Sequence, residues 1–478
     1  VTSHHNPLDA DSYGAATALE LARGVADGTL SPVELVEIAL SIAERAEPTV
    51  NAYASLLPER ALREASQRAA HARAGRLRGP LHGVPIAIKD NAPYEGEPTG
   101  KGSLTSCDAP ATSSAPMVAR LLDAGAVVIG TTTTPEFGWK GTGISPRTGV
   151  TRNPVDPSRA SGGSSAGSAV TVATGAVPIA TGSDAGGSIR IPAAFCGVVG
   201  LKGTLGAIPV WPGTVNESLS HAGVITRSVA DARAVLGLTR GADSRDPQSF
   251  FATPIAHDPT APLRVAVARA PFGIAPDPAV AAVFDDALAR LEEAGIGRLV
   301  DVELPGPLPR EVFEVLWVSG RGLGFAELIR TRSHEMDPGL VRLLEIAERY
   351  TVPDFLDALQ ARRAFNAAMF ALLQRHDVLL TPTMPITAFA ADAEVPEGGD
   401  LAAPLPWITW TPYTYPFNLT GQPALTIPCG TAADGLPVGL QIVGPWAHDE
   451  RVLAVGEACE RVLGRASAID PTSAAVRS

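Results

Sequence analysis

Two serines sit directly behind paired glycines in one stretch of the chain, an arrangement with the parts for acyl transfer. Residues 161–190 read SGGSSAGSAVTVATGAVPIATGSDAGGSIR, with clusters at Gly162-Gly163-Ser164-Ser165 and Gly186-Gly187-Ser188. Consecutive glycines let the backbone approach a ligand closely. A serine placed after them can present its hydroxyl beside exposed backbone N–H groups. Acyl transfer needs both a nucleophile and donors for the developing oxyanion. Gly/Ser clusters also make linkers. Val170, Val172, Val177 and Ile179 between the clusters, and Ile189-Arg190-Ile191-Pro192 after them, read as buried chain and favour a site.

A base is needed as well. The chain has four lysines, Lys89, Lys101, Lys140 and Lys202, among 38 basic residues. Lys89 directly follows the apolar run Val84-Pro85-Ile86-Ala87-Ile88. Lysine, unlike arginine, gives up its proton when desolvated. A strand-end lysine can equally snorkel to water, and the spacing leaves both readings open. Gly163-Ser164-Ser165-Ala166-Gly167 fits the pattern of a nucleophile elbow, but that motif needs an apolar strand running into its first glycine. The preceding Asn153-Pro154-Val155-Asp156-Pro157 cannot be a central strand, so the elbow is rejected. There is no phosphate-binding loop, no zinc-protease motif, no dinucleotide fingerprint after a strand and no Ser-x-x-Lys. Cys107, Cys196, Cys429 and Cys459 are far apart, which argues against zinc and disulfides and for burial as small hydrophobes. His82 and His448 read as structural.

The elements that must position these groups follow from periodicity. Two helices are expected over 14–45, the second capped by Ser31-Pro32. Further helices are expected near 58–75, 115–124, 227–238, 278–294 and 449–463, and helices dominate 309–375. Strands are expected at 84–88, 126–130, 263–269, 298–303, 377–380, 424–429 and 438–443. The β-α-β pattern over 263–303 predicts parallel pairing. Residues 141–163 read as an ordered loop, and the Pro-rich 384–406 as a long surface loop. Trp407, Trp410, Tyr413, Tyr415 and Phe417 crowd eleven positions of a chain with 5% aromatics. With Phe137 and Trp139 they are candidates for an apolar or aromatic substrate pocket, or for core. The last dozen residues read as frayed.

Composition narrows the function classes. The 478 residues are 45% hydrophobic and 18% charged, as in a globular chain with a sizeable core. A net charge of −12 argues against nucleic acid and anionic membranes as partners. No apolar run approaches the ~18 residues of a membrane span, and the opening Val1-Thr2-Ser3-His4-His5 has no apolar leader. A cytoplasmic location is expected. The partners expected are a small-molecule substrate and, at most, a second copy of the chain, so monomer or homodimer. No cofactor and no metal is expected.

Six motifs together resemble the amidase signature family. They are Gly83-Val84-Pro85-Ile86-Ala87-Ile88-Lys89-Asp90, Gly162-Gly163-Ser164-Ser165-Ala166-Gly167, Gly182-Ser183-Asp184-Ala185-Gly186-Gly187-Ser188-Ile189-Arg190, Phe195-Cys196-Gly197-Val198-Val199-Gly200-Leu201-Lys202, Leu379-Leu380-Thr381-Pro382-Thr383, and Gly435-Leu436-Pro437-Val438-Gly439-Leu440-Gln441. The likeness runs over about 14–464. It implies one α/β/α domain over 1–478 on a mixed, twisted sheet covered by helices on both faces, with its signature core at about 80–230 and a substrate-side loop at about 384–415. It implies hydrolysis of amides, with esters, carbamates and urethanes open to the same machinery. Ser188 would be the acyl-accepting nucleophile, Ser164 a bridging serine held by a cis peptide bond, and Lys89 a neutral base. The N–H groups of Ala185, Gly186, Gly187 and Ser188 would form the oxyanion hole, and Gly163 would join Phe137, Trp139, Trp407, Trp410 and Tyr413 about the substrate. Ser183 and Ala166 depart from the threonine and glycine often found at those places. The alternatives are the glutaminase component of a tRNA-dependent amidotransferase, acting on glutamine beside a partner chain, and an inactive scaffold of the same fold.

Overall fold

The apolar runs become strands of one eleven-stranded mixed sheet. The computed structural model describes residues 8–256, 262–465 and 467–474, so the expectation drawn from Val1 to His5 lies outside the described residues. In chain order the strands are β1 (Tyr53–Leu56), β2 (Pro85–Lys89), β3 (Val127–Thr132), the short hairpin β4 (Ile144–Ser145) and β5 (Gly149–Val150), β6 (Ile179–Asp184), β7 (Val199–Lys202) and β8 (His221–Thr226). They continue with β9 (Arg264–Val267), β10 (Arg298–Asp301), β11 (Val378–Pro382), β12 (Ala424–Thr431) and β13 (Pro437–Val443). The sheet order is β1-β3-β2-β6-β8-β7-β12-β13-β11-β9-β10, and the hairpin stands apart. Strand β2 runs parallel to both β3 and β6. Strand β9 runs parallel to β10 and β11, as the β-α-β pattern over 263–303 predicts.

Alternate residues along a strand face opposite sides of a sheet, and here both sides are covered. Val265, Val267, Val378, Leu380, Leu425 and Ile442 join one core. Their neighbours Ala266, Leu379, Ala424 and Val443 join another. Sheets buried on both faces read as continuous apolar runs rather than as alternation. The fold is thus an α/β/α sandwich. Several helices form where expected: Ser31 caps Pro32–Val50 by accepting from the Val33 N–H at 3.3 Å, and helices Pro58–Arg73, Pro278–Glu293 and Asp449–Leu463 follow the periodicity, while three helices rather than two, Ala10–Ala15, Ala18–Ala26 and Pro32–Val50, form near the start.

Three expectations change. The segment 384–406 is no free surface loop. Met384, Phe389, Val395 and Leu405 are buried in a third core, and Ala160 and Ala391 donate across to Phe389 and Ser158. Prolines between these residues hide their periodicity. Near the C-terminus a short helix, Pro471–Ala474, forms within the stretch read as frayed. Cys107 is exposed, while Cys196, Cys429 and Cys459 are buried; all four are free thiols. No helix among the described residues is long and apolar enough to cross a membrane.

Candidate active site

Parallel neighbours end on the same edge of a sheet, and clefts outside the carboxyl ends of strands are favoured sites. Lys89 closes β2 and Asp184 closes β6, so both stand on one edge. The Lys89 side chain is fully buried. Its Nζ donates to Ser164 Oγ at 2.7 Å and to Ser183 Oγ at 3.0 Å. Ser183 Oγ is fixed in turn by Asn91 Nδ2 at 2.8 Å. Burial lowers the pKa of Lys89 to about 7; the Asp184 carboxylate opposes that shift and the Arg321 guanidinium adds to it. The lysine does not snorkel, and its burial brings the neutral form within reach near pH 7.

Ser164 follows a cis peptide bond from Gly163 and precedes the buried helix Ala166–Ala173. The next residue ties the two serine clusters together, because the Ser165 N–H donates to Ser188 O at 3.0 Å. Ser164 and Ser188 are both almost buried and line one cavity of about 250 Å³.

The turn carrying Ser188 is held by a buried ion pair. Asp184 accepts from Arg190 through Nε at 3.0 Å and Nη2 at 3.0 Å, and from Asn418 Nδ2 at 2.9 Å. Within the turn it also accepts from the N–H groups of Gly187 at 2.7 Å and Ile189 at 3.2 Å. Although burial alone would raise it, Arg190 holds the Asp184 carboxyl far below the usual carboxylate range, aided by Lys202 and Asn418. Arg190 extends to Thr414 O, Gln441 Oε1 and Asn418 Oδ1 at 2.7 to 2.8 Å, which anchors the turn to the far half of the chain. Gly187 has φ 127°, and a Cβ there would collide with Thr414.

This geometry changes the expected set of oxyanion donors. The Gly187 N–H is spent on Asp184. Those of Ala185, Gly186 and Ser188 have no acceptor among the described residues. A turn with unspent donors beside a hydroxyl has the chemistry to hold a developing oxyanion. Asp184 and Arg190 were missed as site residues, although they are the only charged residues in the stretch 161–190. Opposite charges isolated among small residues are a readable signal for a buried pair.

The aromatic candidates separate. Phe137 lines the cavity and stacks on Phe325, with ring centroids 4.6 Å apart. Trp139, Trp407, Trp410 and Tyr413 do not line it and are buried. Trp407 packs edge-on to Phe313 and Trp317 and backs the turn at Gly186. Trp410 packs on Phe195 and Phe389, and Tyr413 Oη donates to Ile274 O at 2.6 Å. These large rings fill the space between the 384–406 segment and the helices, where apolar area is best removed from water. Gly163 contributes the cis bond and lies outside the cavity lining. His82 is structural, its ring held by Arg78 N and Arg68 O at 2.9 Å. Among the described residues no three of His, Cys, Asp or Glu are grouped to hold a metal ion.

Comparison with known proteins gives a consistent result. The profile of the family described as Amidase matches residues 34–453. The chain is 36% identical over 458 residues to an acylamidase of Rhodococcus erythropolis, covering 93% of this chain and 95% of that one. It is 32% identical to a glutamyl-tRNA(Gln) amidotransferase chain of Lachnospira eligens, covering 94% and 98%. Among solved structures, a bacterial aryl acylamidase superposes with a TM-score of 0.84 at 26% identity, covering 94% of this chain and 96% of that one.

Proposed function

The chain belongs to the amidase signature family and is an amide hydrolase, and from that premise we propose that Ser188, Ser164 and Lys89 carry the reaction. Neutral Lys89 Nζ takes the proton of Ser164, which takes that of Ser188 as Ser188 Oγ attacks the amide carbonyl. The oxyanion is held by the free N–H groups of Ala185, Gly186 and Ser188. The intermediate collapses to an acyl-enzyme as the amine leaves with the proton returned through Ser164. Water then attacks the ester by the same relay. The observation that carries this reading is the 2.7 Å bond from Lys89 Nζ to Ser164 Oγ, in a site buried enough to bring the lysine to about 7.

Aryl amides are the proposed substrates, because the stacked Phe137 and Phe325 supply a flat apolar wall. Esters, aryl carbamates and urethanes pass through the same tetrahedral oxyanion and are proposed as secondary substrates. The whole chain is proposed to act as one domain, monomer or homodimer, in the cytoplasm, a location supported by its four free thiols. The test is a hydrolysis screen over anilides, primary amides, p-nitrophenyl esters, aryl carbamates and glutamine. Turnover of anilides supports the proposal. Ammonia release from glutamine alone would favour the amidotransferase component, and turnover of nothing the inactive scaffold.

A further inference from the structure

A wide helical turn at Ser319–Leu323 brings a guanidinium into the wall of the cavity. Such π-turns interrupt α-helices frequently at functional sites. The turn is docked against the cavity rim. Asn216 Nδ2 donates to the carbonyls of Leu316 at 3.1 Å and Trp317 at 3.4 Å. At Gly320 any side chain would meet Val215 O at 2.7 Å, so only glycine allows this approach.

Arg321 is what the turn presents. It is 7% exposed. Its Nη1 donates to Phe137 O at 2.8 Å. The guanidinium lies 5.0 Å from the Trp317 ring centroid and 5.9 Å from that of Phe325. Its Nε is buried with no hydrogen-bond partner, and among the described residues Arg321 takes part in no ion pair. Burial lowers its pKa only to about 10, so it is charged at neutral pH. Buried charges are ordinarily paired, because an uncompensated one loses its solvation without return. Ring contacts and one carbonyl leave most of the fork of five donors unused.

The rest of the wall does not supply the missing anion. Among the described residues Asp184 is the one carboxylate lining the cavity, and Arg190 takes it. Lys101, also in the lining, is a second cation. Two cations against one carboxylate that is already paired leave the lining with a positive excess, within a chain of net charge −12.

We infer that Arg321 anchors a carboxylate on the substrate, which makes amides bearing a carboxylate the preferred class. The inference rests on the amide-hydrolase reading of the same cavity and narrows it. A planar carboxylate matches the guanidinium fork with two parallel hydrogen bonds. The charge can sit in either half of the substrate. Hydrolysis of a dicarboxylic monoamide adds water across the C–N bond to give a dicarboxylate and an amine. Hydrolysis of an N-acyl aminocarboxylate gives a monocarboxylate and an aminocarboxylate.

Two matched pairs test this. Succinanilate against 4-methylpentananilide places the charge in the acyl half. 4-Acetamidobenzoate against 4-isopropylacetanilide places it in the amine half. With wild type, kcat/KM is expected to favour the charged member at least tenfold in one pair. Arg321→Met is expected to bring that ratio to about one, chiefly through KM, and Arg321→Lys to retain part of it. The ratio is the readout because Arg321 also lowers the pKa of Lys89, and that effect acts equally on both members. A second readout needs no turnover: succinate or 4-aminobenzoate raises the Tm of wild type but not of Arg321→Met or Arg321→Lys to the same extent. Turnover of acetanilide with no preference for charge in either pair, and no Tm shift, would overturn the anchor and leave the amidase reading standing. No turnover of any anilide, with a carboxylate-dependent Tm shift lost in Arg321→Met, would overturn the aryl-amide reading and leave the carboxylate site.

Discussion

Replacing Lys89 with arginine keeps a cation of similar reach and removes the proposed base. The size of the effect follows from burial. Lys89 is brought from 10.5 to about 7, so about half of it is neutral at pH 7. The protein contains its own gauge for a buried arginine: Arg321 is lowered only to about 10. An arginine at position 89 with that pKa would be neutral about one time in a thousand at pH 7, so protonation alone removes activity about 500-fold. That is a lower bound, because arginine ordinarily stays protonated in proteins. The assay is kcat/KM for an anilide from pH 5 to 10. Wild type should rise with unit slope to about pH 7 and then hold level, since the base works only when neutral. Lys89→Arg retaining more than a tenth of the wild-type rate at pH 7, or a wild-type profile flat across this range, would refute the neutral-lysine relay.

The same shift sets a stability trend that a urea titration can read. Lys89 has a folded pKa of about 7 against 10.5 unfolded, so as pH falls between these values the unfolded chain binds a proton that the native state refuses. Wild type should lose roughly 3 to 4 kcal/mol relative to Lys89→Met between pH 10 and pH 7 and little more below; a pH-independent difference would contradict a depressed lysine. Asp184→Asn should cost about 3–5 kcal/mol, because it leaves Arg190 buried without its counter-charge; a denaturation midpoint close to wild type would show that the turn is held otherwise. Trp410→Ala should cost about 3–5 kcal/mol of stability with KM for anilides nearly unchanged. Phe137→Ala should do the reverse and raise that KM, and interchanged effects would move the aromatic wall to the 407–417 segment.

What the sequence disclosed was local, and what it concealed depended on distant partners. Lys89 stood out because a rare lysine followed Ile-Ala-Ile, and Ser164 and Ser188 because paired glycines preceded them. Strands such as β2, β3 and β11 were legible because burial on both faces makes continuous apolar runs, whereas β1 and β8 were not read. The 384–406 segment was misread because its buried residues are spaced irregularly among prolines. Trp407 and Trp410 illustrate a different limit: an aromatic cluster has the same composition whether it walls a cavity or fills a core. The spending of the Gly187 N–H on Asp184 needs the turn itself, since three residues of separation fit several conformations. Arg321 carried no signal at all. It lies 133 residues beyond Ser188 in a glycine-rich helical segment, and only the docking of Asn216 places it beside the site.

The claim on which the account turns is that Ser188 becomes acylated. Rapid acid quench of the enzyme during turnover of a slow ester or anilide, followed by peptide mass spectrometry, locates the acyl group directly. The account predicts one acyl group on the peptide containing Ser188, its absence in Ser188→Ala, and its accumulation in parallel with the burst of released amine or alcohol. An acyl group on Ser164 or Ser165, or steady turnover by Ser188→Ala, would contradict it.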